Sequence, residues 1–430
     1  MTGHSYFPNQ TATVLYAMAG DDCSLYFDIE NLTPKQQADH TSNIDLTGML
    51  QVANLYMGKP QDHAAMFDQF LTPPWSDLLN FYQRAFDEMG TQPITPSHRH
   101  FYPRDTFYSG VADNHPNVDL TTLYLVSGSN APLHRSSAAL EVSRAVNSKM
   151  VLARNAAEAG IPVPETLVCT KADLQSDRVA AFLAKHGEVM LKIMGLAGSR
   201  NVTSITNVQA GVDYIREYQA DMEVVLQRKL APDEFTEMTV DLVISNDEIT
   251  VANVRRILFA DGLWVGNLIG SSVLLTPAQE AVLLRVGEYV RNLGYVDANG
   301  LNCGIDYFVS DSEVLVTEIN ARWTGGLFPA EMTKRLELGN ANVVAFFDTI
   351  CKESLTQYQA FVSDNLYPQP EAAFANVPIG FSPYPITLEG QEMVFIWHMV
   401  VGDLDAFKEA KARALGKQDM RTADQLSLVV

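Results

Sequence analysis

Residues 301–326, LNCGIDYFVSDSEVLVTEINARWTGG, constrain this chain more than any other stretch. The runs GIDYFV and EVLVTEI are dense in β-formers and flank the turn-prone triplet Ser310-Asp311-Ser312, so the segment predicts a β-hairpin. Asp306 falls on its first strand. Glu318 and Asn320 fall at the end of its second, and side chains two apart leave a strand on the same face. Three oxygen-bearing side chains are thereby expected to meet in one place, followed at once by Arg322 and Gly325-Gly326. Two carboxylates and an amide, without Cys or His, are hard donors of the kind that Mg²⁺ takes together with substrate phosphates. A solvated acidic hairpin would carry the same letters, so the reading depends on what lies upstream.

Upstream stands EVMLKIMGLAGSRNV, residues 188–202. Its apolar strand carries Lys192, and Gly195 with Gly198-Ser199 opens a loop before a second short strand. A lysine is a compact point charge suited to phosphate oxygens, and glycines let backbone N–H groups approach a polyphosphate. The segment is not a P-loop, since no GxxxxGK[ST] occurs, and no GxGxxG follows a strand here. Together with D…ExN it reads as a phosphate and metal site.

The order of segments resembles the ATP-grasp superfamily. NSK (147–149) precedes AGIPVPET (159–166), then come LKIMGLAGS, VVLQRKL (224–230), EMTVDLVIS (237–245) and finally Asp306 with EIN-AR. The likeness spans roughly residues 146–335. The long amino-terminal extension and the NARWTGG ending are similar to carboxylate–amine ligases of secondary metabolism, among them the pheganomycin-type peptide ligases and a butirosin-pathway enzyme that loads a carrier protein. The implied fold is α/β (α+β): two α+β subdomains clasping ATP (146–352), an α/β pre-ATP-grasp domain before them (1–145), and a small carboxy-terminal α+β region after them (353–430).

The resemblance also implies roles. Lys149 and Lys192 belong on the phosphates, under the loop that holds Gly198 and Ser199. Gln227, Lys229 and Leu230 belong to a hinge strand whose backbone meets the adenine edge, although Lys229 reads equally well as a solvent-facing charge. Glu234 and Glu237 are the two candidates for the ribose. Asp306, Glu318 and Asn320 match the Mg²⁺ ligands, and Arg322 stands where a planar fork of donors clamps an acyl phosphate or oxyanion. Arg255 and Arg256 leave their strand on opposite faces, and Arg256 is assigned to the cleft. Asn267 reads as a turn residue. Two departures stand out: Met194 with Arg200-Asn201 in the glycine loop, and WTGGLFP in place of the pheganomycin-type ending, so the amine acceptor does not carry over.

The implied activity is ADP-forming activation of a carboxylate, of an amino acid or peptide, as an acyl phosphate that an amine attacks. The alternatives are attack by a carrier-protein thiol and a non-catalytic ATP-binding regulator. Expected partners are small carboxylates and amines, with a carrier protein and a homodimer as further expectations. A net charge of −21 argues against nucleic acid and anionic membranes as partners. MTGHSYFPNQ lacks a basic and then apolar leader, no apolar run reaches the ~18–20 residues of a membrane span, and the four cysteines show no metal spacing, so a cytoplasmic protein is expected.

Outside these motifs, TATVLYAM (11–18), the second half of GDDCSLYF (20–27) and TTLYLV (121–126) read as strands. Residues 46–56, 75–89, 135–160 and 277–293 read as helices, and 92–105, rich in Pro, His and Arg, as a loop. After residue 353 a Pro-rich tail precedes one strong strand, EMVFIWHMVVG, and a helix over 403–415.

Overall fold

The computed structural model describes residues 3–8, 10–20, 22–194, 202–260, 263–339, 341–416 and 426. Gly198 and Ser199, with the rest of the glycine loop from 195 to 201, lie outside the described residues.

Short segments build the first sheet, the central one wholly buried and apolar. Its strands β1 (Gly3–His4), β2 (Val14–Ala17), β3 (His63–Phe67), β4 (Arg99–Tyr102) and β5 (Leu120–Leu123) run parallel in the order β1-β5-β2-β3-β4. Both VLYA and the AAMF portion of β3 are buried throughout, as expected of strands covered by helices on two faces. The helix Pro34–Met57 starts at a Thr33–Gln36 capping box with proline in its first turn. The helix Trp75–Glu88 buries one apolar stripe, including Leu78, Leu79, Tyr82 and Phe86.

Four antiparallel strands form a second sheet: β6 (Thr166–Thr170), β7 (Val189–Lys192), β8 (Val202–Ile205) and β9 (Glu223–Arg228), in the order β6-β9-β7-β8. It has its own apolar cluster, centred on Leu174, Val179, Leu191 and Leu226.

The third sheet has nine strands: β10 (Thr236–Ile244), β11 (Ile249–Ala260), β12 (Leu263–Ile269), β13 (Leu301–Val309), β14 (Val314–Asn320), β15 (Val343–Cys351), β16 (Phe374–Phe381), β17 (Ile386–Leu388) and β18 (Gln391–Gly402). The order is β14-β13-β10-β11-β12-β15-β18-β16, with β17 on β18. The hairpin of β13 and β14 thus forms one edge, and strands from the carboxy-terminal region form the other. Helix Pro277–Asn292 lies across β10 and β11, and Gly287 permits the approach, since a Cβ there would meet Ile249 at 2.7 Å.

Several sequence-based expectations need correction. The second half of GDDCSLYF is helix Asp22–Tyr26, which follows β2 directly. The single helix expected over 135–160 breaks into Ser137–Val146 and Lys149–Asn155, because Ser148 caps the second by accepting from Val151 N–H. The loop over 92–105 contains β4, whose His100 ring nitrogen lies 2.9 Å from His63. No helix among the described residues is long and apolar enough to cross a membrane.

Candidate active site

Strand register assembles the site. Asp306 of β13 pairs with Glu318 of β14 on one side and with Thr239 of β10 on the other, and Thr239 pairs with Arg255 of β11. Directly paired residues share a face, so Glu318, Asp306, Thr239 and Arg255 form one row across the sheet. Asn320, Gly304, Asp241 and Asn253 form the next. Alternation therefore sends Arg256 to the opposite face, which corrects the assignment of Arg256 to the cleft. Its neighbour Arg255 is the one that faces the Asp306 side.

Glu318, Asp306 and Asn320 each have a partner. Lys149 Nζ lies 2.5 Å from Glu318 Oε1, and Asn320 Nδ2 donates to Asp306 Oδ2 at 3.0 Å. Arg322 donates to Asn320 Oδ1 at 3.0 Å and to the Tyr124 hydroxyl at 2.5 Å, with its guanidinium 5.0 Å from the centre of the Tyr124 ring. Lys192 is buried and reaches the Thr317 carbonyl at 3.5 Å. The AGIPVPET segment runs along the outer edge of β14, where Val316 N–H donates to the Pro162 carbonyl.

Crowding sets the electrostatics. Burial, then repulsion from Glu318, pushes the Asp306 carboxyl up to about 6. Burial, then Asp306, pushes Glu237 up to about 8. Burial also works against the Glu318 charge, yet Lys149 and Lys192 outweigh it and hold that carboxyl below its ordinary range. Burial lowers Lys192, and Glu318 opposes the shift.

Beside this row lies a small pocket between the helix Lys149–Asn155 and the second sheet. Leu152, Ala153, Val163 and Val225 make its walls apolar, while Lys149 and Lys192 stand together in its lining. Apolar walls beside two ammonium groups are a lining whose chemistry suits an apolar ring that carries anionic groups. Gln227 lines the pocket and donates to Thr166 Oγ1 at 3.1 Å. The strand ladder ends at Arg228, so Lys229 and Leu230 follow the strand instead of forming it. The Lys229 side chain pairs with Glu188 at 2.7 Å on the surface, and Leu230 packs with Phe235 and Leu315. Of the two ribose candidates, Glu234 is exposed in a turn, and Glu237 is half-buried within electrostatic reach of Lys192 and Asp306. Asn267 belongs to β12, not to a turn, and is buried with its amide toward the Arg256 carbonyl at 3.4 Å.

A polar network backs the row. Asp241 and Arg255 form an ion pair in which both side chains are 0 % exposed. Asp241 also accepts from Asn302 at 3.1 Å and from Thr324 at 3.0 Å, and Asn302 donates to the Arg322 carbonyl at 2.8 Å. The segment 322–324 is thereby bolted to the sheet. Gly304 makes room for it, since a Cβ there would lie 2.3 Å from the Thr324 methyl. On its other side Trp323 N–H donates to the Tyr124 carbonyl and Trp323 Nε1 to the Tyr6 carbonyl, both in the amino-terminal domain. Sequence reasoning passed over Tyr124, Thr239, Asp241 and Thr317, whose roles depend on neighbours distant in the chain.

No family model and no curated protein sequence matches the chain. Solved structures do match it, over nearly its whole length. N5-carboxyaminoimidazole synthetase from Staphylococcus aureus, complexed with ADP, covers 96% of this chain and 99% of its own, with a TM-score of 0.54 at 11% identity. Carboxyaminoimidazole ribonucleotide synthase from Aspergillus clavatus, complexed with ATP, covers 97% and 99%, with 0.55 at 10% identity. The fold is ATP-grasp. Phosphoribosylamine–glycine ligase from Thermotoga maritima is similar over 96% of both chains, with a TM-score of 0.50 at 12% identity. Within that fold the parallel sheet β1–β5 precedes the second sheet and the nine-stranded one.

The donor set of the row suits a hard divalent cation. No group of three His, Cys, Asp or Glu side chains forms a ready metal centre among the described residues. Two carboxylates and an amide would leave such an ion to complete its shell from a phosphate ligand and water, as Mg²⁺ does.

The position of Glu237 carries a pH signature. In the folded protein its proton stays until about pH 8, whereas the ordinary value is 4.5. The folded state then binds more protons across that interval, so stability is lost as pH rises from 4.5 and the loss is complete above 8. In metal-free protein, Glu237→Gln should melt above wild type, with a gap that widens from pH 5 to pH 8.5. A gap independent of pH would refute the shift.

Proposed function

We propose that this chain is an ATP-dependent, ADP-forming ligase that activates the carboxylate of an amino acid or peptide and joins it to an amine. The row Glu318–Asp306 with Asn320 carries the proposal, because it lies between an apolar slot with two lysines and the guanidinium of Arg322. ATP complexes of the Aspergillus clavatus enzyme and ADP complexes of the Staphylococcus aureus enzyme support a nucleotide in the slot.

In this reading the adenine lies against Leu152, Val163 and Val225, near Gln227, with Glu237 toward the ribose. Lys149 and Lys192 bind phosphate oxygens as point charges. Asp306, Glu318 and Asn320 would hold Mg²⁺, which offsets charge on the transferring phosphoryl group. A substrate carboxylate oxygen attacks the γ-phosphorus and ADP leaves. Arg322, oriented by Tyr124 and Asn320, steadies the charge that develops at the acyl group, and an amine then displaces phosphate. Half-burial of the row restricts water and strengthens each of these contacts.

The test is product analysis with ATP, Mg²⁺ and a panel of amino acids. ADP and phosphate should appear in equal amounts, with an organic product whose mass is the sum of two substrates less one water. Stoichiometric AMP and pyrophosphate would place the chain in another reaction class.

A further inference from the structure

We infer that Lys149 and Arg322 act as place-holders for the metal on the Asp306–Glu318–Asn320 face, so that metal and nucleotide enter cooperatively by exchanging partners with them. The inference rests on the reading of that face given above.

Two candidate ligand oxygens are held by protein cations. Glu318 Oε1 takes Lys149 at 2.5 Å, and Asn320 Oδ1 takes Arg322 at 3.0 Å. The Asn320 amide is fixed in its orientation, because its nitrogen donates to Asp306 Oδ2 at 3.0 Å. Turning it over would set oxygen against carboxylate and NH₂ against guanidinium. Asn320 therefore gives its oxygen to a cation only when Arg322 lets go.

The two place-holders differ in where they can go. Arg322 keeps the Tyr124 hydroxyl and the Trp323 carbonyl as acceptors, so its release costs little. Lys149 has 8 % side-chain exposure, and its neighbour in the pocket lining, Lys192, is a second ammonium. A divalent ion arriving alone would leave Lys149 buried without a counter-charge, which is strongly unfavourable. A phosphate in the slot supplies that counter-charge. Metal and nucleotide must then raise each other's affinity by one common factor, because coupling between two sites is reciprocal.

Mn²⁺ binding without nucleotide, followed by loss of the free-ion paramagnetic signal, tests this. Lys149→Met should bind Mn²⁺ alone about tenfold more tightly than wild type, a coupling of ordinary size. Lys149→Arg, which keeps the charge, should behave as wild type does. In calorimetry, Mn²⁺ should strengthen ADP binding by wild type and do so much less in Lys149→Met. Unchanged or weaker Mn²⁺ binding by folded Lys149→Met overturns the exchange. Should that variant fail to fold, Lys149→Gln decides, since it removes the same charge from Glu318 while keeping a polar head and should also tighten Mn²⁺ alone, and no tightening overturns the inference. The underlying site has a separate control. If Mn²⁺ does not strengthen ADP binding by wild type, or Glu318→Gln leaves that effect intact, the metal face itself is wrong.

Discussion

Asp306→Asn and Glu318→Gln should each lower turnover about a hundredfold or more while the protein stays folded. Each variant keeps the shape of its side chain and removes one charge from the row that would hold the cation. Their stabilities should diverge, and that separates lost chemistry from lost structure. Asp306 is crowded by Glu318, which helps burial push it up to about 6, so the neutral amide relieves repulsion and the melting temperature should hold or rise. Glu318→Gln leaves Lys149 without its carboxylate and should melt lower. Turnover rates and thermal melts on the same preparations check both halves. Near-normal activity in either variant would remove the metal assignment.

Arg255→Met should cost about 3–5 kcal/mol of folding stability, the usual consequence of stranding one member of a buried ion pair. Asp241 would remain fully buried with only Asn253, Asn302 and Thr324 to satisfy it. Replacing both members by apolar residues should recover part of the loss, because the remaining charge is then gone. Arg256→Ala, at a half-buried position on the other face, should have a far smaller effect. Denaturant midpoints at constant slope provide the measurement. A loss under 1 kcal/mol for Arg255→Met would mean that the network does not secure the segment 322–324.

The hairpin of β13 and β14 was legible because every signal for it is local: β-formers in two runs, a polar triplet between them, and period-two spacing of Glu318 and Asn320. The faces of Arg255 and Arg256 were not legible in the same way. Alternation states that they differ, but only the pairing of Arg255 with Thr239, and of Thr239 with Asp306, says which one meets the carboxylates. The segment 92–105 and the Pro-rich tail hid β4 and β16 for another reason. Both are edge strands, and Pro378 sits in β16 beside a register shift, where a missing N–H is tolerated. In GDDCSLYF the apolar Leu25-Tyr26 pair suits a strand or a buried helix equally, and five residues are too few for a period to decide. The break before Lys149 was written in Ser148, a good N-cap residue set in the middle of an apolar pattern. Tyr124 offered no local signal, since its partner Arg322 lies 198 residues away.

The seat of Arg322 is built by two distant stretches of chain. Tyr6 and Tyr124 hold Trp323 from the amino-terminal side, and Asp241 and Asn302 hold Thr324 and the Arg322 carbonyl from the sheet. If this segment meets a substrate acid, as proposed, any preference it exerts is joint property and cannot be inherited through either stretch alone. A chimera that borrows the first sheet from a protein of similar fold would import a foreign floor for the guanidinium, and a compatible seat would have to arise in matched pairs across that seam.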